Sequence, residues 1–335
     1  MGGLRKMKQT EAENDGEVLV VSPPQLPEET VIAPMGTLVA QKSDSVWDEM
    51  ESAAETMHDN YILCGLVGME GNTKTGVVLD SLTDEEVANG NCILALDFDG
   101  GAASCRASYH RDKSRNIRCL DPWVMMTEDR TAYNYPATHD RVMKIGFEAI
   151  AWAKRQQDPN YDGDRLHTFL VTACDFWDDV CINNMKIVDL ASAPDGIAAA
   201  VNPQKLVGNQ WNWQIRRTRF HQLTAIGRTL MMLGVRVFFE THLKTEIVKN
   251  EATGNYRPDW EKHMNGYLNQ IVWFHRVNVR DSDGRPTGET RFEAEFYKCK
   301  TNVKLQGQRR IVLTTTEGEA PVWNGLPEIS SPVQM

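Results

Sequence analysis

Lys74 and Thr75 form an ammonium–hydroxyl pair that follows Gly68 and Gly71 in the stretch GLVGMEGNTKTGVVLD, Gly65 to Asp80. Glycines at this spacing let backbone N–H groups wrap phosphate oxygens. A lysine then neutralises their charge, and the hydroxyl after it can ligate magnesium. The usual pattern is G-x-x-x-x-G-K-[ST], but here Thr73 stands before the lysine in place of glycine. A β-branched residue disfavours positive φ, so either the loop keeps φ negative at Thr73 or nucleotide binding is weakened. The relaxed spacing G-x-x-G-x-x-K-[ST] arises by chance in roughly one chain in a hundred of this length. The candidate nucleotide-binding residues are Gly68, Met69, Glu70, Gly71, Asn72, Thr73, Lys74, Thr75 and Gly76.

Carboxylates follow at the ends of two further apolar runs. FLVTACD ends at Asp175, which is placed to hold magnesium with Thr75, and CILALDFDGG carries Asp97 and Asp99. A lone aspartate after a strand is most often a turn or a helix cap. Three chemically matched segments in order argue for a shared site, because ligands of open parallel sheets bind outside the carboxyl ends of the strands. VRVFFETH adds Glu240, Thr241 and His242, which read either as a strand-end cap or as a contact to a terminal phosphate or its attacking water. Basic residues gather after position 214, where Arg216, Arg217 and Arg219 lie beside Trp211 and Trp213, and Lys244 and Lys249 follow. Cations with stackable rings suit single-stranded DNA, and a solvated helix face is the plainer reading.

These groups need a scaffold, and the 335 residues can bury one large core. Residues 1–42 read as a flexible polar arm and 316–335 as a flexible tail, leaving a single domain over 43–315. A helix is expected over 43–59, then a strand at 61–66 and a helix from Lys74 to Asn89-Gly90. Strands are expected at 92–98, 116–120, 167–174 and 235–242, with helices at 138–157 and about 211–233. Apolar strands alternating with helices indicate a mostly parallel α/β sheet covered on both faces. NQIVWFHRVNVRD and ETRFEAEFYKCK flank the turn signal SDGRPTG, so the sheet is expected to end in antiparallel strands.

Composition excludes several classes. The seven cysteines form no C-x-x-C pair, which supports neither a zinc site nor a disulfide framework. An acidic stretch follows Arg5, Lys6 and Lys8 where a signal peptide needs an apolar core, and no apolar run is long enough to span a membrane. A net charge of −10 argues against coating nucleic acid by bulk electrostatics, although it leaves room for a local basic groove.

With GMEGNTKT, ILALDFDGG, FLVTACD and VRVFFETHLK in this order, residues 60–315 resemble the RecA-like branch of P-loop ATPases. More narrowly, the chain resembles phage-encoded AAA-type nucleotide-binding proteins, which include RecA-related single-strand-annealing ATPases. The resemblance implies an Mg-ATP hydrolase in which Asp99 stands, one methylene short, where the family has a water-activating glutamate. Lys74 would stabilise the phosphates, Thr75 and Asp175 would hold Mg2+, and His242 would sense the terminal phosphate. Lys298 and Lys300 match a basic pair that related rings send into a neighbouring subunit, and 244–263 matches a DNA-contacting loop. The implied role is recombination or replication on single-stranded DNA, as a homo-oligomer in the host cytoplasm, away from membranes and beside a single-strand-binding protein. A helicase, a DNA-packaging motor and a nucleotide-binding interaction protein with little turnover are the rival expectations. No clustered acidic nuclease set of the packaging type follows residue 245.

Overall fold

A computed structural model describes residues 62–126, 132–190, 210–248, 251–300 and 302–329, all within the compact unit Met57–Met335. The arm expected over 1–42, the helix expected over 43–59, Lys249 and the side chains of Trp211 and Trp213 lie outside the described residues.

Strand β1 (Leu63–Gly68) leads into helix α1 (Lys74–Asp80), as the phosphate-loop reading requires. A single helix to Asn89 was expected, but α1 stops and α2 (Asp84–Ala88) starts afresh. The cause is a capping box: the Glu86 amide donates to the Thr83 hydroxyl at 3.2 Å, and the Thr83 amide donates to the Glu86 carboxylate at 2.7 Å. There follow β2 (Asn91–Leu96), α3 (Gly101–Tyr109), β3 (Ile117–Leu120), α4 (Tyr135–Arg155), β4 (Arg165–Val171) and α5 (Cys174–Asn184). Helix α6 (Gln210–Met232) then leads to β5 (Arg236–Thr241). Next come the hairpin β6 (Leu243–Val248) and β7 (Glu251–Pro258), the short α7 (Met264–Tyr267), β8 (Gln270–Arg280), β9 (Pro286–Cys299), β10 (Arg309–Thr316) and β11 (Val322–Trp323).

Nine strands form one sheet in the order β11-β10-β9-β8-β1-β5-β4-β2-β3. From β8 to β3 every neighbouring pair is parallel, whereas β9, β10 and β11 are antiparallel to their neighbours. The central parallel strands β1, β2, β4 and β5 are buried along most of their length because both faces are covered. Leu63, Val67, Phe169, Val171, Val237 and Phe239 pack under α4, α5 and α6. Cys64, Leu66, Ile93, Ala95, Leu170 and Phe238 face the opposite layer, with Val77, Val78 and Leu79 of α1. The alternation places even-numbered residues of β5 on the α1 face.

The chain beyond Thr316 differs from the expected flexible tail. Val322 and Trp323 pair with β10, Leu326 and Ile329 are buried, and Arg310 Nε donates to Glu328 Oε1 at 2.8 Å. The apolar residues Trp323, Leu326 and Ile329 recur at three-residue spacing and cover the layer that holds α1, a pattern hidden by the surrounding glycine, proline and acidic residues. The Trp323 ring also lies 2.3 Å from where a side chain on Gly76 would begin, so only glycine fits α1 there. Deleting 317–335 removes the burial of Leu326 and Ile329, at about 1.5–3 kcal/mol each. We expect a loss of at least about 3 kcal/mol of stability relative to the full chain, read by urea denaturation.

Candidate functional site

The parallel strands all end at one edge, and the loops after β1, β2, β4 and β5 converge there. The β1–α1 loop is held down from β8: the Asn72 side chain donates to the Phe274 carbonyl at 2.9 Å, and a Cβ on Gly68 would meet Phe274 at 3.1 Å. The Lys74 side chain is buried and folds back over the loop, donating to the carbonyls of Gly68 at 3.2 Å and Met69 at 3.1 Å. Burial lowers its pKa against the opposing pull of Glu240, Asp99, Asp175 and Glu70.

Thr73 adopts φ 62, ψ 13, so the loop does not keep φ negative at this position. Its hydroxyl donates to the Asn72 carbonyl at 2.7 Å. Among the described residues, only Thr73 and Ala173 are non-glycine residues with positive φ. Each lies at a strand-to-helix junction of this edge, and such strain, of order 1–3 kcal/mol per residue, collects at functional sites.

Ala173, at φ 46, changes the expected layout of β4. The strand was expected to run to Cys174 and to present Asp175 at its end. It stops at Val171, and Asp175 lies in the first turn of α5. The left-handed turn at Ala173 starts the helix early, and Thr172 takes the strand-end position. The Thr172 hydroxyl donates to the Leu96 carbonyl at 3.3 Å and accepts from the Phe98 amide at 3.0 Å, which ties β4 to β2. Asp175 is paired instead with His242, whose Nδ1 lies 3.1 Å from Oδ2. That hydrogen bond raises the His242 pKa against the effect of burial.

Thr75 faces a different carboxylate. Its hydroxyl donates to Glu240 Oε2 at 2.7 Å, because Glu240 points from β5 toward α1 at an even position. Glu240 is buried, its Oε1 meets no hydrogen-bond partner, and burial raises its pKa to about 8 despite Lys74 and Thr75. This residue is the centre of the site and has no motif of its own; its signal in the sequence is a carboxylate following the apolar run VRVFF.

On β2, Asp97 accepts from the amides of Ala102 at 3.0 Å and Ala103 at 2.8 Å and so caps α3. Asp99 is exposed at the rim and accepts from the Gly101 amide at 3.1 Å, within electrostatic reach of Lys74.

Of the candidate DNA contacts, Arg216, Arg217 and Lys244 line an open groove of about 930 Å³ that starts at Asp175 and runs between α5, α6 and the β6–β7 hairpin, and Arg219 does not. The segment expected as a loop over 244–263 is this hairpin followed by α7. Arg216 is bonded through Nε to Asp178 at 2.9 Å, and Lys244 is ion-paired with Asp259. Arg217 is exposed and Arg219 half-buried. Lys298 and Lys300 sit elsewhere and donate to the Asn265 and Gly266 carbonyls, on the turn that leads into β8.

No family model matches the chain, and no curated protein matches it.

Two substitutions test this geometry. Thr73→Gly relieves the left-handed strain and is expected to stabilise the chain by about 1 kcal/mol in urea denaturation. In the unfolded chain Glu240 ionises near about 4.3, whereas in the folded chain it keeps its proton up to about 8. The folded state therefore holds the extra proton, and stability falls as pH rises through that window. Glu240→Gln is expected to match the native chain at pH 4 and to exceed it in stability at pH 8; an equal difference at both pH values contradicts the assignment.

Proposed function

We propose that the chain binds Mg-ATP on the Gly68–Gly76 loop and hydrolyses it slowly, as a RecA-like P-loop ATPase. The observation that carries this reading is the convergence of Lys74, Thr75 and Glu240 at the carboxyl edge of a parallel sheet, beneath a strained loop. The donors suit magnesium: a hydroxyl, a carboxylate with one unpartnered oxygen, and no soft ligand between them. A bound magnesium ion would supply charge neutralisation for the phosphates. Lys74 would leave the Gly68 and Met69 carbonyls to meet phosphate oxygens, and amides of the loop would donate to the same oxygens. Asp99, exposed and close to Lys74, is placed to accept a proton from an attacking water. His242, clasped to Asp175, links this edge to the groove, where single-stranded DNA would run along Arg217 and its neighbours. Recombination or replication of phage DNA by a homo-oligomer is the role that fits this combination. Lys298 and Lys300 would reach a neighbouring subunit only by leaving their own carbonyls.

A second reading, a nucleotide-binding interaction protein with little turnover, draws on Thr172 at the β4 end and on the Asp175–His242 pair, which together leave the expected metal carboxylate occupied. ATP binding by calorimetry and ATPase rates with and without single-stranded DNA distinguish the two. DNA-stimulated turnover is expected, falling 100-fold or more in Lys74→Ala. Tight binding without turnover selects the second reading, and no ATP binding at all sinks both.

A further inference from the structure

We propose that Glu240, together with Thr75, holds the divalent cation of the bound nucleotide, in place of the expected Asp175. The inference rests on the nucleotide reading above and identifies which carboxylate serves it. Among the described residues no cluster of three or more His, Cys, Asp or Glu could cage a metal ion by itself. A cation here must draw its remaining ligands from phosphates and water, which is the ordinary habit of magnesium: one or two protein oxygens plus the substrate.

The carboxylates around Lys74 differ in what already occupies them. Asp97 gives both oxygens to the α3 amides, and Asp175 gives both to His242 Nδ1, at 3.2 and 3.1 Å. Asp99 is exposed and turned to its own Gly101 amide. Glu240 alone touches the hydroxyl that follows the lysine, and its Oε1 is a buried acceptor with no donor. A buried carboxyl oxygen without a partner is destabilising, and a ligand that engages it offsets that cost. A hard cation with its water shell provides one. Thr172 cannot substitute, because its hydroxyl is engaged between β4 and β2.

The test is calorimetric titration of the non-hydrolysable analogue AMP-PNP, in EDTA and in magnesium, against the full chain, Glu240→Gln and Asp175→Asn. The isosteric Gln keeps the hydrogen bond with Thr75, and its folding is checked by thermal melting; Glu240→Asp serves as a second variant that keeps the charge but shortens the reach. In the native chain magnesium is expected to tighten AMP-PNP binding, with a gain of about 10-fold or more. Glu240→Gln is expected to lose that gain, Glu240→Asp to lose part of it, and Asp175→Asn to keep it. Mn2+ bound with AMP-PNP should give a paramagnetic resonance spectrum in the native chain that Glu240→Gln weakens. A magnesium gain that survives in Glu240→Gln, or one that is lost in Asp175→Asn, overturns the assignment. If the native chain binds AMP-PNP under neither condition, the nucleotide reading itself fails, and that outcome is distinct from both.

Discussion

A buried carboxylate held by a single hydroxyl sets the terms of this molecule. The contact between Thr75 and Glu240 joins the first turn of α1 to the end of β5, across the strand pair β1–β5 that lies at the centre of the sheet. In a low-dielectric interior neither Lys74 nor Glu240 can be charged without cost, so their environments move their pKa values toward each other. Burial drives both shifts, and their mutual attraction only tempers them.

The sheet produces this contact by parity. Along β5, Arg236, Phe238 and Glu240 fall on one face, with the apolar ring in the middle and a charge at each end. At the amino end Arg236 is balanced by Glu86 from α2, 3.5 Å away. At the carboxyl end the balance is left to Thr75, Lys74 and whatever binds there. A shift of one residue in the register of β5 would send Glu240 under the α4–α6 layer and bring Thr241 to the loop.

Much of the scaffold was legible in the sequence, because uniform apolar runs and 3.6-residue periodicity are direct imprints of two-sided burial. The parallel strands, the turn from β1 into α1 and the β8–β9 hairpin could all be read in this way. What escaped depends on backbone twist or on distant pairing. Nothing in FLVTACD announces that Ala173 turns left-handed and moves Asp175 into a helix. The Thr83–Glu86 capping box was visible as T-x-x-E, but it lay inside a segment that already looked helical. Glu240 was noticed as a strand-end acid, yet only the three-dimensional pairing shows that it, and not Asp175, meets Thr75. The ion pairs Arg216–Asp178 and Lys244–Asp259 join residues far apart in the chain or across a hairpin, so the cations looked more available than they are.

The stacking of Trp323 on Gly76 ties two positions 247 residues apart into one inherited unit, since the ring occupies the space a side chain would need. Drift at either position is then constrained by the other. An alanine at 76 is tolerable only where 323 has become smaller, and a smaller residue at 323 opens a void above α1 that a side chain at 76 can fill. Across descendants of this sequence the two sites should change together or not at all. The far antiparallel edge thereby leaves its mark on the composition of α1.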